Sequence, residues 1–132
     1  MQIYEKIIDL ELSYELERLM TIREMITDCV NDYVHVHGTD CTMNKKELFQ
    51  MVSCQCPIKY SSFLPQDYCY NRTNDGILFD GHTHLFEYVE PDCYRLLGEN
   101  YPYSGPVLHK PRGKKEIIVG MWTQGIVEIL QK

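Results

Sequence analysis

The chain of 132 residues is 44% hydrophobic and 24% charged and carries a formal charge of −6, a globular rather than disordered composition with length enough for one domain and its own core. The acid is unevenly placed: residues 1–40 hold three basic and nine acidic residues, against ten of each in residues 41–132. An acidic chain is a poor non-specific phosphate binder, so contact with nucleic acid requires a local basic face.

In chain order, Ile3, Ile7, Leu10 and Tyr14 carry a helical pattern with acidic residues between them. It predicts either a separate first helix or the front of one long helix. Residues 22–34 give the cleanest helical face, through Ile22, Met25, Ile26, Cys29, Val30, Tyr33 and Val34, spaced as a 3.6-residue period requires. Thr21 and Glu24 have capping-box spacing, and Gly38 ends the helical region. A further helix is expected from Lys45 to Val52, capped by Asn44 with Glu47 three residues on.

After a turn at Pro57, a third helix is expected to open at Ser62 or Leu64, with Pro65 in its first turn, and to stop at Asn74-Asp75-Gly76. Then the texture becomes β: a short strand at Ile77-Leu78-Phe79, and a hairpin from His84–Val89 and Cys93–Leu97 about Glu90-Pro91-Asp92. Residues 98–113, rich in Tyr, Pro and Gly, read as an ordered loop, and residues 116–130 as two strands around Gly120 and Gly125. The expected fold is α+β in one domain: a helical N-terminal extension (1–40), a winged helix-turn-helix core (41–100), and a loop with additional C-terminal β-strands (101–132).

The six cysteines stand at 29, 41, 54, 56, 69 and 93. The N-terminus lacks the basic and apolar regions of a secretory signal, and no stretch approaches the roughly 20 apolar residues of a membrane span. Reduced, mostly structural thiols and a cytoplasmic location follow as expectations, with no membrane partner. The glycosylation sequon Asn71-Arg72-Thr73 is then without consequence.

The runs FLPQDYCYNRTNDGI and LFEYVEPDCYRLLGENYPYSGPV resemble a group of uncharacterised bacterial winged-helix-like domains. Those are marked by a proline-led DYCYNR-type helix, a short wing and a YR-x-LGENYPY-type segment. The resemblance covers residues 44–107. It implies a winged-helix fold and, because such domains occur alone or beside nuclease-type partners, DNA-directed systems; it implies no activity.

In a winged helix the third helix presents Asn, Gln or Arg to base edges. Gln66, Asn71 and Arg72 are the candidates, with Lys59, Thr73 and the wing on phosphates. The plainer alternative has Tyr68, Cys69 and Tyr70 packed inward, Asn71 and Arg72 capping the helix end, and Asp67 repelling phosphate. The dense basic run His109–Lys115, with Lys110, Arg112, Lys114 and Lys115, is either a phosphate-binding loop or a solvated turn.

Three i, i+2 dyads, His35/His37, Cys54/Cys56 and His82/His84, could supply zinc ligands if two of them met, but the usual finger spacings are absent. His82, His84 and Glu87 also suggest the His-x-His…Glu set of a metal-dependent β-barrel enzyme, without its downstream histidine. No nucleophile elbow, P-loop or dinucleotide fingerprint is present. No catalytic residue, metal or cofactor is therefore assigned.

The leading expectation is a non-enzymatic DNA-binding or regulatory module acting on double-stranded DNA. The alternative is a protein-interaction module with the same fold, and the third a metal-dependent enzyme. The N-terminal amphipathic stripe either closes the core or joins two subunits in a homodimer.

Overall fold

A computed structural model describes residues 21–73, 79 and 82–130. The expected helix through Ile3–Tyr14, and with it the proposed dimer element, lies outside the described residues, as do the 74–76 stop and most of the 77–79 strand. Helix α1 (Ile22–His37) starts where Thr21 Oγ1 accepts the Glu24 N–H at 3.1 Å and ends where the Gly38 N–H, at φ 80°, reaches the Val34 carbonyl. Strand β1 (Thr42–Met43) leads into α2 (Lys45–Ser53). There the capping box closes in both directions, Glu47 N–H to Asn44 Oδ1 at 2.8 Å and Asn44 N–H to Glu47 Oε1 at 3.0 Å. These short-range pairs satisfy orphan donors of the first turn. Ile26 and Val30 of α1 and Leu48 and Val52 of α2 are fully buried together.

The third helix does not form. Residues 60–68 make two single turns of 3₁₀ helix, Tyr60–Ser62 and Pro65–Tyr68, and Arg72–Thr73 is strand β2. Tyr68, Cys69 and Tyr70 are consecutive and buried, but Tyr68 and Cys69 enter one hydrophobic cluster and Tyr70 another. Tyr68 closes the 3₁₀ turn, and from Cys69 (φ −85°, ψ 141°) the chain is extended, which points Cys69 and Tyr70 to opposite sides. The backbone groups are satisfied across to the next segment, Leu85 N–H to the Tyr68 carbonyl at 2.7 Å and Tyr70 N–H to the Phe86 carbonyl at 2.8 Å. The winged helix-turn-helix core expected for 41–100 is thereby corrected: the described residues hold two α-helices and seven strands in two sheets.

The first sheet has the order β1–β4–β3, with β3 (Phe86–Glu90) and β4 (Cys93–Leu96) a hairpin whose turn residue Asp92 has φ 55°. Asp92 also accepts the Lys45 N–H at 2.9 Å, tying the hairpin to the start of α2. The second sheet runs β2–β5–β6–β7, from β5 (Gly105–His109), β6 (Ile117–Thr123) and β7 (Ile126–Ile129); β2 and β5 are parallel and the other pairs antiparallel. At Gly120 of β6 an added Cβ would stand 3.2 Å from the Glu128 carbonyl and 3.3 Å from Val107, so the residue keeps β6 close to both neighbours.

Side chains seal the seam between the sheets. Asn71 donates from Nδ2 to the Tyr88 carbonyl and accepts the Tyr88 N–H on Oδ1, both at 2.8 Å. Tyr103 donates to Glu87 at 2.9 Å, and Glu87 is paired with Arg95 at 3.1 Å. The carboxylate beside it and burial together push the Tyr103 phenol well above its ordinary range, burial being the larger cause. Replacing Asn71 by alanine strands both backbone groups of Tyr88 and is expected to cost about 2 kcal/mol, read by urea unfolding. A variant as stable as wild type would remove Asn71 from the seam.

Candidate functional site

Beside the seam, an open cleft of about 450 Å³ is walled by the second core and the loop after β4. Tyr70, Trp122 and Tyr101 give its aromatic side, His84 and His82 its imidazoles, and Glu99 its carboxylate. The aromatic side is held by hydrogen bonds. Tyr70 donates to the Gly98 carbonyl at 2.6 Å and accepts the Tyr101 N–H at 3.1 Å, while Trp122 Nε1–H reaches the Tyr70 carbonyl at 2.6 Å. Burial pushes the Tyr70 phenol up to about 12, so it remains a donor at neutral pH. Gly98 (φ 82°) approaches α1 closely, 3.2 Å from its would-be Cβ to Asn31 Oδ1, and the same oxygen accepts the Glu99 N–H at 2.8 Å. Helix α1 thus fixes the loop that carries Glu99.

His84 is only 7% exposed and sits among rings, 4.2 Å from Phe79, 5.2 Å from Trp122 and 5.5 Å from Tyr70 between centroids. Burial lowers its pKa to about 4, helped by the positive charge of His82 and Arg23 and opposed by a hydrogen bond to the Phe79 backbone. The imidazole is therefore neutral near pH 7. Its Nε2 is buried with no partner among the described residues, so Nδ1 makes the Phe79 bond and Nε2 is left as an acceptor. Burial likewise lowers the pKa of His82, with Arg23 adding to the effect and Asp67 opposing it.

The residues singled out from the sequence are not brought together as a reading head. Gln66 is half-buried and bonds with the Tyr94 hydroxyl, and Asn71 is taken up by the Tyr88 backbone. Arg72 lies 4.0 Å over the Tyr88 ring and pairs with Glu116 at 3.1 Å. The Thr73 carbonyl lies 3.1 Å from His109 Nδ1, and Lys59 stands apart, exposed before the first 3₁₀ turn. Lys110, Arg112, Lys114 and Lys115 do stay together, exposed on the turn between β5 and β6. Gly113 at φ 74° and the bond from Lys114 N–H to the Pro111 carbonyl shape that turn. It lies at the far end of the β5–β6 pair from the cleft, next to the His109–Ile117 partners, whereas Trp122 pairs with Gly105 at the near end.

The metal dyads do not assemble: no group of three or more His, Cys, Asp or Glu among the described residues could hold a metal ion. Glu87 faces Tyr103 and Arg95, which separates it from the role expected beside His82 and His84. The cysteines are free thiols, and burial raises the pKa of Cys29, Cys56 and Cys69. No helix among the described residues is long and apolar enough to cross a membrane. Sequence reasoning missed Tyr70, Glu99, Tyr101 and Trp122 as site residues. The tyrosines and Glu99 sat in view within the DYCYNR and GENYPY runs, but nothing local brings those runs to Trp122.

A family profile described as "Domain of unknown function (DUF7225)" matches residues 21–129. The chain is 36% identical over 108 residues to "Uncharacterized protein YnaC" of Bacillus subtilis (strain 168), an alignment covering 81% of this chain and 38% of that protein. The chain thus spans well under half the length of this curated relative. No solved structure matches it. The resemblance read from the sequence narrows to membership of an uncharacterised bacterial family. With the profile running through both helices and all seven described strands, the chain belongs to the DUF7225 family.

Proposed function

We propose that this domain is a non-enzymatic nucleic-acid-binding module that holds the phosphate backbone at the β5–β6 turn rather than with a helix. One observation carries the reading. Elsewhere Arg72 and Arg95 are paired with carboxylates, and Arg23 and Lys45 lie over tyrosine rings. Lys46 and Lys59 are exposed without such a partner but singly, whereas the four cations of the turn are gathered in one short exposed segment with no carboxylate or ring partner among the described residues. Unpaired cations on a projecting turn attract phosphate at little desolvation cost, and the acidic remainder limits contact to that turn. The test is binding to mixed duplex and single-stranded DNA at two salt concentrations, against a variant with Lys110, Arg112, Lys114 and Lys115 changed to alanine. Wild type is expected to bind with a salt dependence that falls by about 0.9 in slope for each phosphate contact removed on a duplex. Absence of binding at low salt, or equal binding by the variant, overturns the reading.

A second reading as a protein-interaction module is favoured by β7. Among the described residues it is an edge strand, with Ile126 75% exposed and Leu130 beyond its end 53% exposed, and such edges pair with other strands. We take the occupant to be a second copy pairing along β7. Sedimentation equilibrium should then show a dimer that Ile126→Lys dissociates, and a monomer at high concentration discards it.

A further inference from the structure

We infer that the cleft between Tyr70, Tyr101, Trp122, His84 and Glu99 is a binding site for an uncharged purine base presenting two adjacent N–H donors, guanine above all. The inference stands on the cleft alone and is independent of the basic turn. At about 450 Å³ the cleft admits a bicyclic base with its sugar left at the mouth. Its aromatic side is preorganised by the hydrogen bonds that fix Tyr70 and Trp122, and half-buried Tyr101 is the ring left at the rim to stack on a ligand. Base stacking on such rings is a general means of holding an unstacked nucleotide.

The polar lining selects the ligand. Among the described residues no lysine or arginine lines the cleft, and the two imidazoles are held toward the neutral form, so phosphate meets Glu99 there rather than a cation. Thr83 and Asn100 at the lining can donate or accept, and Glu99 is its charged acceptor. The exposed Glu99 carboxylate presents two oxygens, while His84 Nε2 lies fully buried behind the wall with no partner among the described residues. Guanine is the common base with adjacent ring N–H and amino donors, an edge that matches a carboxylate's two oxygens. Adenine and cytosine place an acceptor beside their amino group, opposite the carboxylate.

The cleft reports on itself, since Trp122 is the one tryptophan of the chain. The full chain is titrated with guanosine, inosine, adenosine, cytidine and tetramethylammonium, following tryptophan emission, for wild type, Tyr101→Ala and Glu99→Gln. Glu99 is exposed and Tyr101 only partly buried against the second cluster, so both variants are expected to fold, as far-UV circular dichroism will show. Saturable quenching is expected, with guanosine binding at least tenfold tighter than adenosine and inosine between them. Tyr101→Ala should lose about tenfold for every nucleoside, and Glu99→Gln should remove the preference for guanosine. No saturable response to any nucleoside overturns the inference. So does a response to tetramethylammonium in place of nucleosides, which would make the cleft an ammonium cage, or nucleoside binding that both variants retain unchanged. DNA binding through the basic turn can fail while guanosine still binds, and the reverse, so the two readings fall separately.

Discussion

Replacing Trp122 by alanine is expected to destabilise the domain by about 3–5 kcal/mol, the range for deleting a buried large aromatic side chain. Trp122 is 7% exposed and lies within 5.1 Å of Tyr70, 5.2 Å of His84, 5.9 Å of Phe79 and 6.4 Å of Tyr103 between ring centroids. Among the described residues the second cluster buries Tyr70, Phe79, Leu97, Tyr103 and Val107 beside it. Tyr70, Tyr103 and Val107 are held by hydrogen bonds or within a sheet and cannot readily collapse into the place of a missing indole. Its N–H also ties β6 to the Tyr70 carbonyl at 2.6 Å, and with it the second sheet to the segment that replaces the expected third helix. Trp122→Phe keeps most of the packing and loses that bond, and should cost roughly 1–3 kcal/mol. Denaturant unfolding followed by circular dichroism checks both. A Trp122→Ala cost below about 1 kcal/mol would mean that the second cluster contributes little to folding.

Acidification supplies the other large effect. His84 has a pKa lowered to about 4 in the folded protein from an ordinary value of 6.5. In the unfolded chain it binds a proton first, so its neutral burial is fully tolerated above pH 6.5 and penalised increasingly as pH falls toward 4. The loss is about 3 kcal/mol once both states are protonated, at 1.36 kcal/mol per unit of difference. Positive charge on His82 and Arg23 acts in the same sense. His84→Gln removes the titration, so its stability curve between pH 7 and 4 should be flatter than wild type by that amount. Parallel curves for the two proteins would show that the imidazole is not buried neutral. The same variant gives the nucleobase cleft a side chain that is an acceptor at every pH.

Several elements were legible because the determining groups are close in sequence. The apolar period of 22–34, Thr21 with Glu24, and Asn44 with Glu47 specify α1 and α2 within a few residues of themselves, Thr21 capping α1 by one bond and Asn44 with Glu47 closing the full box on α2. The β3–β4 turn at Pro91-Asp92 and the β6–β7 turn before Gly125 (φ 83°) are local too. The segment 62–73 was not legible by such means. Its turn signals, proline and buried tyrosines suit a short helix as well as extended chain, and what decides between them is the line of acceptors and donors at residues 85–88, a dozen or more residues away.

The same division holds for the candidate site. By itself the sequence determined the two helices with their caps, the hairpin turns, and the exposed basic run 110–115, since a run of like charges stays in water wherever the backbone goes. Only the tertiary structure decided that Asn71 and Arg72 brace β3 and Glu116 instead of facing outward, that β2 lies parallel to β5, and that Tyr70, His84, Glu99 and Trp122 share one cleft. Those four come from separate segments, and their meeting follows from long-range strand pairing and the joint burial of two cores, interactions with no periodicity or spacing to announce them in the chain.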